Sequence, residues 1–549
     1  MKLDTGLIGY WPFCEDCEDD SDSELTVHAV NVNVEAVGAG GPYATAAQFN
    51  GLDSHLVVQA HPVLNLGTGD FSVAVWVQTD EERGDVIGDI ISKFDPEARQ
   101  GFGLSVVTNT GVTSTAQANY RNVHFGIDQA RIDANWTDEG RPGNAVQVKA
   151  LHVSEGKLYA GTFEGRVEET GHLWQYEGPG QWRDLGGCPD ESNAVPSIAC
   201  FDGALYCSTG RYNTTGSALP PPQNIAPGGK VYRIESDGGW MDCGQPGVED
   251  ATPEEQQLGG YETGKADMTA ALTVFRGELY ATSYYRRGAF RYEGGRYWRN
   301  IGPDRRLLSF AVYKEGLYAL VNGGEVLRYL GGSEWEDCGR PTGSTQIYGA
   351  ATYAGDMYVG TWPEGNVQWY GGGKTWTNIG RPGYEREIMG MALYNQKVYV
   401  GSLPMANVWR MDGSGFTFVG NVDNTSTVFL RRAWSMAVHD GTLFVGTLPS
   451  GHVRSIQAGA MATYDRALPS GWHHLAAVRS HDRLNLYIDG QCMATSKAFN
   501  TADYDLTQDH PLKIGFGAHT YFNGAMSDLR MYNRALKKSE IDELTHTLR

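Results

Sequence analysis

An all-β fold, a seven-bladed β-propeller inserted into a jelly-roll β-sandwich, is what this sequence predicts, and three observations predict it. A phrase centred on an aromatic residue recurs through the middle of the chain. A second phrase, an aromatic followed four positions later by Gly, recurs in step with it. The two flanks carry neither phrase and instead alternate apolar and polar residues. Composition agrees: 71 Gly, 29 Tyr and 14 Trp in 549 residues suit many short strands joined by tight turns, and long helical periodicities are scarce.

The repeat organises everything else. Its first phrase runs GKLYAGT, GALYCST, GELYATS, EGLYALV, GDMYVGT, QKVYVGS and GTLFVGT, with the aromatic at Tyr159, Tyr206, Tyr280, Tyr318, Tyr358, Tyr399 and Phe444. The second phrase has its aromatic at Trp182, Trp240, Trp298, Trp335, Trp376 and Phe416, one member short. The missing member lies upstream, at Trp136 in WTDEGRP. An unsealed ring of blades would expose an edge strand, so the strand around Trp136 is predicted to complete the blade that contains Phe444. Each blade parses as an inner strand of small and apolar residues, the LYxGT strand, a third strand such as VYRI or VQWY, and an outer strand bearing the Trp.

The flanks read as half-buried strands. Before the repeat stand GLIGYWPF, QFNGLDSHLVV and DFSVAVWV; after it stand GWHHLAAVR, LNLYIDGQ and FNGAMSDLRMYNRAL, followed by a short helix, KKSEIDEL. The predicted division is a discontinuous sandwich of residues 1–128 plus 457–549, and a propeller of residues 129–456. Insertion of a whole domain in a loop is tolerated where its ends lie close together, as those of a closed ring do.

The flanking phrases, WHHLAAV and YNRAL above all, resemble the laminin-G and pentraxin-like branch of the concanavalin-A-type, lectin-like sandwiches. The LY-GT phrase is similar to kelch-like repeats, and the GG-x-x-W hairpin, as in GGGKTW, resembles a degenerate Asp-box. The full Asp-box pattern does not occur, so sialidase activity is not implied. The sandwich resemblance implies a structural calcium ion, Ca2+, and would place oxygen ligands at Asp53 (FNGLDS) and Asp528 (GAMSDLRMY). The other reading of these two is a turn cap at Asp53 and a surface ion pair at Asp528.

Chemistry is sought on the propeller face formed by the loops that lead into the inner strands and by those joining second and third strands. Arg306, Glu387 and Arg432 share one repeat position, three residues before the small residue of the inner strand (Ser309, Gly390, Ser435). Equivalent positions in a ring converge on its mouth. With Tyr285, Tyr348, Trp362, Arg386 and Trp434 they form the predicted ligand-binding set: arginines to pair with carboxylates or sulfates, rings to stack on sugars. Arg and aromatic residues that merely tie blades together are the alternative. The long loops Thr209–Gly229 and Gly247–Asp267 exceed ordinary connections and suit a partner contact.

Several classes are disfavoured. A net charge of −21 argues against nucleic acid, whose phosphates call for a basic surface. No stretch is long and apolar enough to span a membrane. The start, MKLDTGLIGYWPF, lacks a signal-peptide core, which leaves a mature chain, another export route or assembly on a virion. Eight cysteines are too few for a disulfide scaffold, and Cys14 and Cys17 read as a local disulfide or two thiols. No G-x-S-x-G, HExxH or P-loop pattern occurs, so enzyme status stays open with the balance against it. The expected function is an extracellular, or cell- or virion-surface, carbohydrate-binding protein whose partner is an acidic polysaccharide or glycoconjugate at the propeller mouth. A glycosidase or lyase using the same face is one alternative, and a structural or adhesive component of a virion or surface assembly is another.

Overall fold

The computed structural model describes residues 3–37, 42–84, 86–129, 135–214, 216–247, 265–412 and 415–546. Strands dominate, and the α-helix among the described residues is Lys538–His546.

Between Thr137 and Ile456 the strands form a propeller-like ring. Four-stranded antiparallel sheets begin at Ala270–Phe275, Leu307–Tyr313, Gln346–Tyr353 and Glu387–Tyr394, each continuing through the next three strands. A fifth joins Arg432–His439, Thr442–Leu448 and Val453–Ile456 to the upstream strand Thr137–Asp138. Thr137 pairs with Ser455 and Asp138 with Arg454, as the phase offset predicts. Five blades therefore stand as separate sheets among the described residues, where the sequence predicts seven. The strands of the first two repeats, from Gln147 to Asp242, lie in one eight-stranded sheet. Its halves are joined by one pair, Phe163 with Ala194. They merge because backbones meet there: Gly171 N–H donates to Ser192 O at 2.9 Å, and a Cβ on Gly171 would sit 2.4 Å from Ala194 Cα. The first strand of each repeat lies against the first strand of the next, and Arg432–His439 lies against Gln147–Ser154, so the ring closes.

The second phrase now has a physical cause. The indole N–H of each Trp donates to a carbonyl three residues beyond the aromatic of the preceding repeat. Trp182 reaches Glu139 O (2.8 Å), Trp240 reaches Leu185 O (3.1 Å), Trp298 reaches Cys243 O (2.9 Å) and Trp335 reaches Ile301 O (2.8 Å). Trp376 reaches Cys338 O (2.8 Å), and Trp136 reaches Val419 O (3.3 Å). The Gly that follows each acceptor has positive φ, from +69° at Gly302 to +154° at Gly420. It turns the chain where a side chain would meet the incoming indole: a Cβ at Gly420 would lie 2.3 Å from Trp136 Nε1.

Residues flanking the ring build two antiparallel sheets around one core. One sheet runs in the order Asn33–Ala36, Thr45–Asn50, Asn523–Tyr532, Phe71–Thr79, Gly471–Ser480, Arg483–Ile488 and Gln491–Thr495, with Leu7–Trp11 also on Asn523–Tyr532. The other runs Val27–Val30, His55–Val58, Leu512–Ile514, Ile87–Asp95, Gln100–Val107, Asn122–Gln129 and Ala460–Tyr464. Both sheets feed a single apolar cluster that includes Trp11, Phe49, Phe71, Phe102, Phe125 and Met526. The second sheet and the loop after Ile514 meet the ring: Asn395 Nδ2 donates to Ile127 O (3.1 Å) and Gly355 N–H to His519 O (3.1 Å).

From that sheet a finger, Thr108–Tyr120, enters the axis of the ring. Residues Thr108–Asn119 are buried, and the finger touches the first strand of every repeat. Ser114 Oγ donates to Lys149 O (3.4 Å) and Thr115 Oγ1 to Pro196 O (3.4 Å), while Ala271 N–H donates to Ser114 O (2.7 Å). Ser309 Oγ donates to Thr113 O (2.5 Å) and Ala350 N–H to Gly111 O (2.9 Å). Asn109 and Asn119 bind Leu393 and Val438 through their side-chain amides. His152, in an inner strand, has its Nδ1 2.8 Å from Gln117 O.

Candidate functional site

At the far end of the axis from the two-sheet unit, the first strands open with a break in register. The break falls at Val148/Ala150, Leu307/Ser309, Ile347/Gly349 and Ala433/Ser435, and is wider at Ile388/Met391. A bulge of this kind re-aims a side chain. The residues within these breaks are Lys149, Leu308, Tyr348, Met389 and Trp434, each directly before the small residue of its strand. They gather with Tyr212, Tyr284 and Tyr285 from the loops, Leu308 and Tyr348 packing on the tyrosines, Met389 and Trp434 beside Tyr348 and Trp362.

Lys149 is fully buried. Its ammonium lies 3.5 Å from the centre of the Tyr212 ring and 4.8 Å from that of Trp434, and Nζ has no hydrogen-bond partner among the described residues. Trp434 Nε1 donates to Lys149 O at 3.0 Å, fixing ring and strand together. Two residues upstream, Gln147 is buried with neither amide atom partnered among the described residues. Glu387 and Arg432 occupy the equivalent position in their own repeats and are also buried. Arg432 Nη2 donates to Gly216 O (3.0 Å), leaving Nε and Nη1 without partners, and Glu387 Oε1 has none either, among the described residues.

Electrostatics follow from burial. Desolvation pushes the Glu387 carboxyl up to about 8, with the Arg432 charge opposing. It drives the Lys149 ammonium well below its ordinary value, and Arg432 adds to that fall. The Tyr348 hydroxyl is raised to about 12, by burial first and Glu387 next. A carboxyl held neutral near pH 7 is a hydrogen-bond donor, and an anion placed beside the Lys149 amine would favour its charged form against the burial that disfavours it.

Six of the eight predicted ligand-binding residues meet here: Tyr285, Arg306, Tyr348, Glu387, Arg432 and Trp434. Arg306 is only half-buried; its Nε donates to Tyr284 O (2.8 Å) and its guanidinium lies 5.3 Å from the Tyr285 ring centre. Trp362 and Arg386 form the rim instead, the exposed guanidinium 4.9 Å from the indole centre. Trp362 packs on Met389, Leu403 and Trp434, and Tyr384, two residues before Arg386, is 94% exposed. Sequence reasoning missed Lys149 and Gln147. The signal was present, a lysine in an inner strand, one position before its small residue as Tyr348 and Trp434 are. Of the two long loops, Thr209–Gly229 supplies Tyr212, Gly216 and Leu219 to the cluster, while most of Gly247–Asp267 lies outside the described residues.

The two carboxylates proposed for calcium do not converge. Asp53 accepts from Asn31 Nδ2 (2.9 Å) and Asn50 Nδ2 (2.8 Å). Asp528 accepts from Tyr43 Oη (2.6 Å) and pairs with Arg530 (2.9 Å). Asn50 pairs with Asn523, five residues before Asp528, which separates the carboxylates by roughly 15 Å at strand spacing. These residues do not fit a shared ion, and no group of three or more metal-ligating side chains occurs among the described residues. No disulfide joins Cys14 and Cys17.

Residues 414–542 match the family model of the concanavalin A-like lectin/glucanases superfamily. The match starts within the ring and runs through the C-terminal part of the two-sheet unit. No curated protein matches this chain. Among solved structures, it is similar to a streptogramin B lyase, with 8% identity, TM-score 0.44, and coverage of 59% of this chain and 98% of that one. A catalytically inactive virginiamycin B lyase from Staphylococcus aureus with quinupristin gives 10% identity, TM-score 0.42, and coverage of 59% and 99%. The WD40 β-propeller domain of Doa1 gives 10%, 0.40, 59% and 97%. Likeness at this level says nothing about what the site binds.

Proposed function

We propose that this protein binds a glycan bearing acidic groups at the ring mouth, outside the cytoplasm or on a cell or virion surface. On this reading the eight-stranded sheet counts as two blades, giving a seven-bladed propeller of residues 129–456. The two flanking sheets form a lectin-like sandwich of residues 1–128 plus 457–549 that acts as its mount. One observation carries the reading. Lys149 is buried against the Tyr212 and Trp434 rings, Glu387 and Arg432 are also buried, and each has polar atoms without a partner among the described residues, an arrangement that costs stability unless a ligand uses it. The Arg386–Trp362 stack and exposed Tyr384 extend the same chemistry to the rim, where rings suit sugar faces and the guanidinium suits a carboxylate or sulfate. The match to a lectin/glucanase superfamily is compatible with a sugar ligand. No helix among the described residues is long and apolar enough to cross a membrane.

Affinity electrophoresis through gels containing neutral, sulfated or uronate polysaccharides tests this. Retardation by an acidic polymer, lost in Arg432→Ala and weakened in Arg386→Ala, is the expected result. Unchanged mobility in every gel overturns it and turns attention to protein partners on the same face. The neutral carboxyl of Glu387 favours one second reading, a glycosidase or lyase with Glu387 as general acid. Under that reading Glu387→Gln abolishes chain cleavage while retaining retardation.

A further inference from the structure

At the other end of the strands from the mouth, the first repeat lacks two rings that its neighbours carry. From the second repeat onward, the aromatic of the first phrase packs on a ring five residues before it, at the end of the preceding strand. The pairs are Phe201–Tyr206, Phe275–Tyr280, Tyr313–Tyr318, Tyr353–Tyr358, Tyr394–Tyr399 and His439–Phe444, with ring centres 5.5–6.2 Å apart. In the first repeat that position is Ser154, five residues before Tyr159. A second ring comes from the following repeat, from the third-strand residue opposite the outer Trp. Tyr292 packs on Tyr206 (6.2 Å), Tyr329 on Tyr280 (6.1 Å), Tyr370 on Tyr318 (6.0 Å) and, across the closure, Tyr176 on Phe444 (5.3 Å). For Tyr159 that residue is Ile234, opposite Trp240. Met411 and Ile456 also stand where the tyrosine would, but Tyr358 and Tyr399 beside them keep the ring of their own repeat. Tyr159 has neither ring among the described residues.

A cleft of about 750 Å3 lies where the two rings are missing. One wall is the cross-strand row Tyr159, Gln175 and Arg183, with Lys157 beside it; Ile234 and the hairpin Ser236–Gly238 face it. Tyr159 and Ile234 belong to one apolar cluster with Leu185 and Leu205, so the floor is apolar while the lip is charged. Arg183, 52% exposed, lies 3.3 Å from Glu177 and donates to Gln175 Oε1 at 2.8 Å. Of the other charges on the cleft, Asp184 meets His172 (2.9 Å), Glu235 meets Arg233 (2.8 Å) and Asp237 accepts from Gly239 N–H (2.9 Å). Lys157 is exposed and enters no ion pair among the described residues. We propose that this cleft docks an extended segment of a partner protein, which lays an aromatic side chain on Tyr159 and sets an acidic residue against Lys157 and Arg183. A polypeptide is the fitting occupant because, at four other junctions of the ring, the same place is filled by a tyrosine side chain projecting from an adjacent strand. The site is separate from the mouth and does not rest on the glycan reading.

Saturation-transfer NMR on the full chain tests it with capped pentapeptides: a central tyrosine between aspartates, the same peptide with leucine for tyrosine, and the same with lysines for the aspartates. A fourth probe is 4-hydroxyphenylacetate, a free aromatic acid. The expected result is transfer concentrated on the tyrosine ring protons of the acidic peptide. Ile234→Tyr restores the ring that other junctions carry, and is expected to weaken that peptide at least about tenfold without lowering the thermal midpoint. Lys157→Glu, at an exposed position that folding does not depend on, is expected to weaken it at least about threefold. Absence of transfer from the acidic tyrosine peptide, or binding undiminished in both variants, overturns the site. A leucine peptide that binds as tightly overturns the aromatic assignment, and a lysine peptide that binds as tightly overturns the acidic one. Equal affinity for the free aromatic acid and the peptide overturns the partner protein in favour of a small-molecule ligand.

Discussion

Gln117 and Val274 exchange two hydrogen bonds across the ring axis: Gln117 Nε2 donates to Val274 O at 2.9 Å, and Val274 N–H donates to Gln117 Oε1 at 2.7 Å. The side-chain amide thus stands in for a peptide group of a neighbouring strand. Asn119 does the same with Val438, and Asn109 with Leu393. Inner strands of a ring have no further strand on their axial side, so their backbone groups there need another partner, and three amides of the finger supply it. Gln117→Leu keeps the volume but leaves a buried N–H and C=O unpaired, and is expected to cost roughly 2–5 kcal/mol. Denaturant unfolding checks this. Since the finger belongs to the two-sheet unit and the strand to the ring, both are expected to unfold in the same transition.

The indole series makes a second prediction, of gain rather than loss. Every repeat aromatic donates to the carbonyl three residues beyond the preceding one except Phe416, which has no N–H and faces Gly380 at 3.4 Å from its would-be Cβ. Phe416→Trp is expected to add the missing bond, to Ile379 O, and to stabilise the protein by about 1 kcal/mol. Trp298→Phe, losing the bond to Cys243 O, is expected to destabilise by a similar or larger amount. A rise in thermal midpoint for the first and a fall for the second is the check.

These contacts show which parts of the molecule were legible in its sequence. The aromatic-to-Gly phrase was readable because one geometric demand, an indole reaching a carbonyl before a positive-φ Gly, recurs at a fixed spacing. Tyr348 and Trp434 were readable as aromatic residues where the chain enters an inner strand. Lys149 escaped because its counterparts one residue before the small residue, Leu308, Tyr348, Met389 and Trp434, share no charge with it, so no recurring column marks it. The merging of two repeats into one sheet depends on how closely Gly171 meets Ala194, which no single-strand pattern encodes. The finger was illegible for a stronger reason. TNTGVTSTAQANYR reads as an exposed polar loop, and it is buried only because the ring presents unpaired backbone groups that those polar side chains satisfy.

At the junction of the two parts, Lys397 of the ring contacts the carboxylate of Asp128 in the second sheet, their side chains 3% and 0% exposed. Burial, followed by the nearby Arg99 charge, lowers the Lys397 ammonium to about 7. Contact with a carboxylate acts in the other direction, so the pair stands or falls together. Lys397→Met leaves Asp128 buried without its partner and is expected to destabilise by about 3–5 kcal/mol. Lys397→Met with Asp128→Leu is expected to recover most of that loss, because two apolar side chains replace two desolvated charges. A double-mutant cycle by urea unfolding measures the coupling; simple additivity would show that the two side chains do not act as a pair.

Glu387 gives a pH dependence with a definite sign. Its carboxyl is raised from an ordinary value of 4.5 to about 8, so between these values the folded protein holds a proton that the unfolded chain releases. Stability linked to this group is therefore fully present below pH 4.5, declines as pH rises from about 4.5 to about 8, and is flat above. Lys149 contributes the opposite slope at higher pH, since its folded state favours the neutral amine, but it is present in both proteins of a wild-type and Glu387→Gln comparison and largely cancels. The difference in unfolding free energy between the two is expected to move in favour of the Gln variant as pH rises from 5 to 8. Urea titrations at stepped pH measure it. A ligand carboxylate on Arg432 would itself favour the protonated Glu387, so binding of an acidic oligosaccharide is expected to weaken above about pH 8 in the wild type and to lose most of that dependence in Glu387→Gln. A pH-independent difference in stability between the two proteins would mean that Glu387 is ionised in the folded state, and with it the donor role of its carboxyl at the mouth would fall.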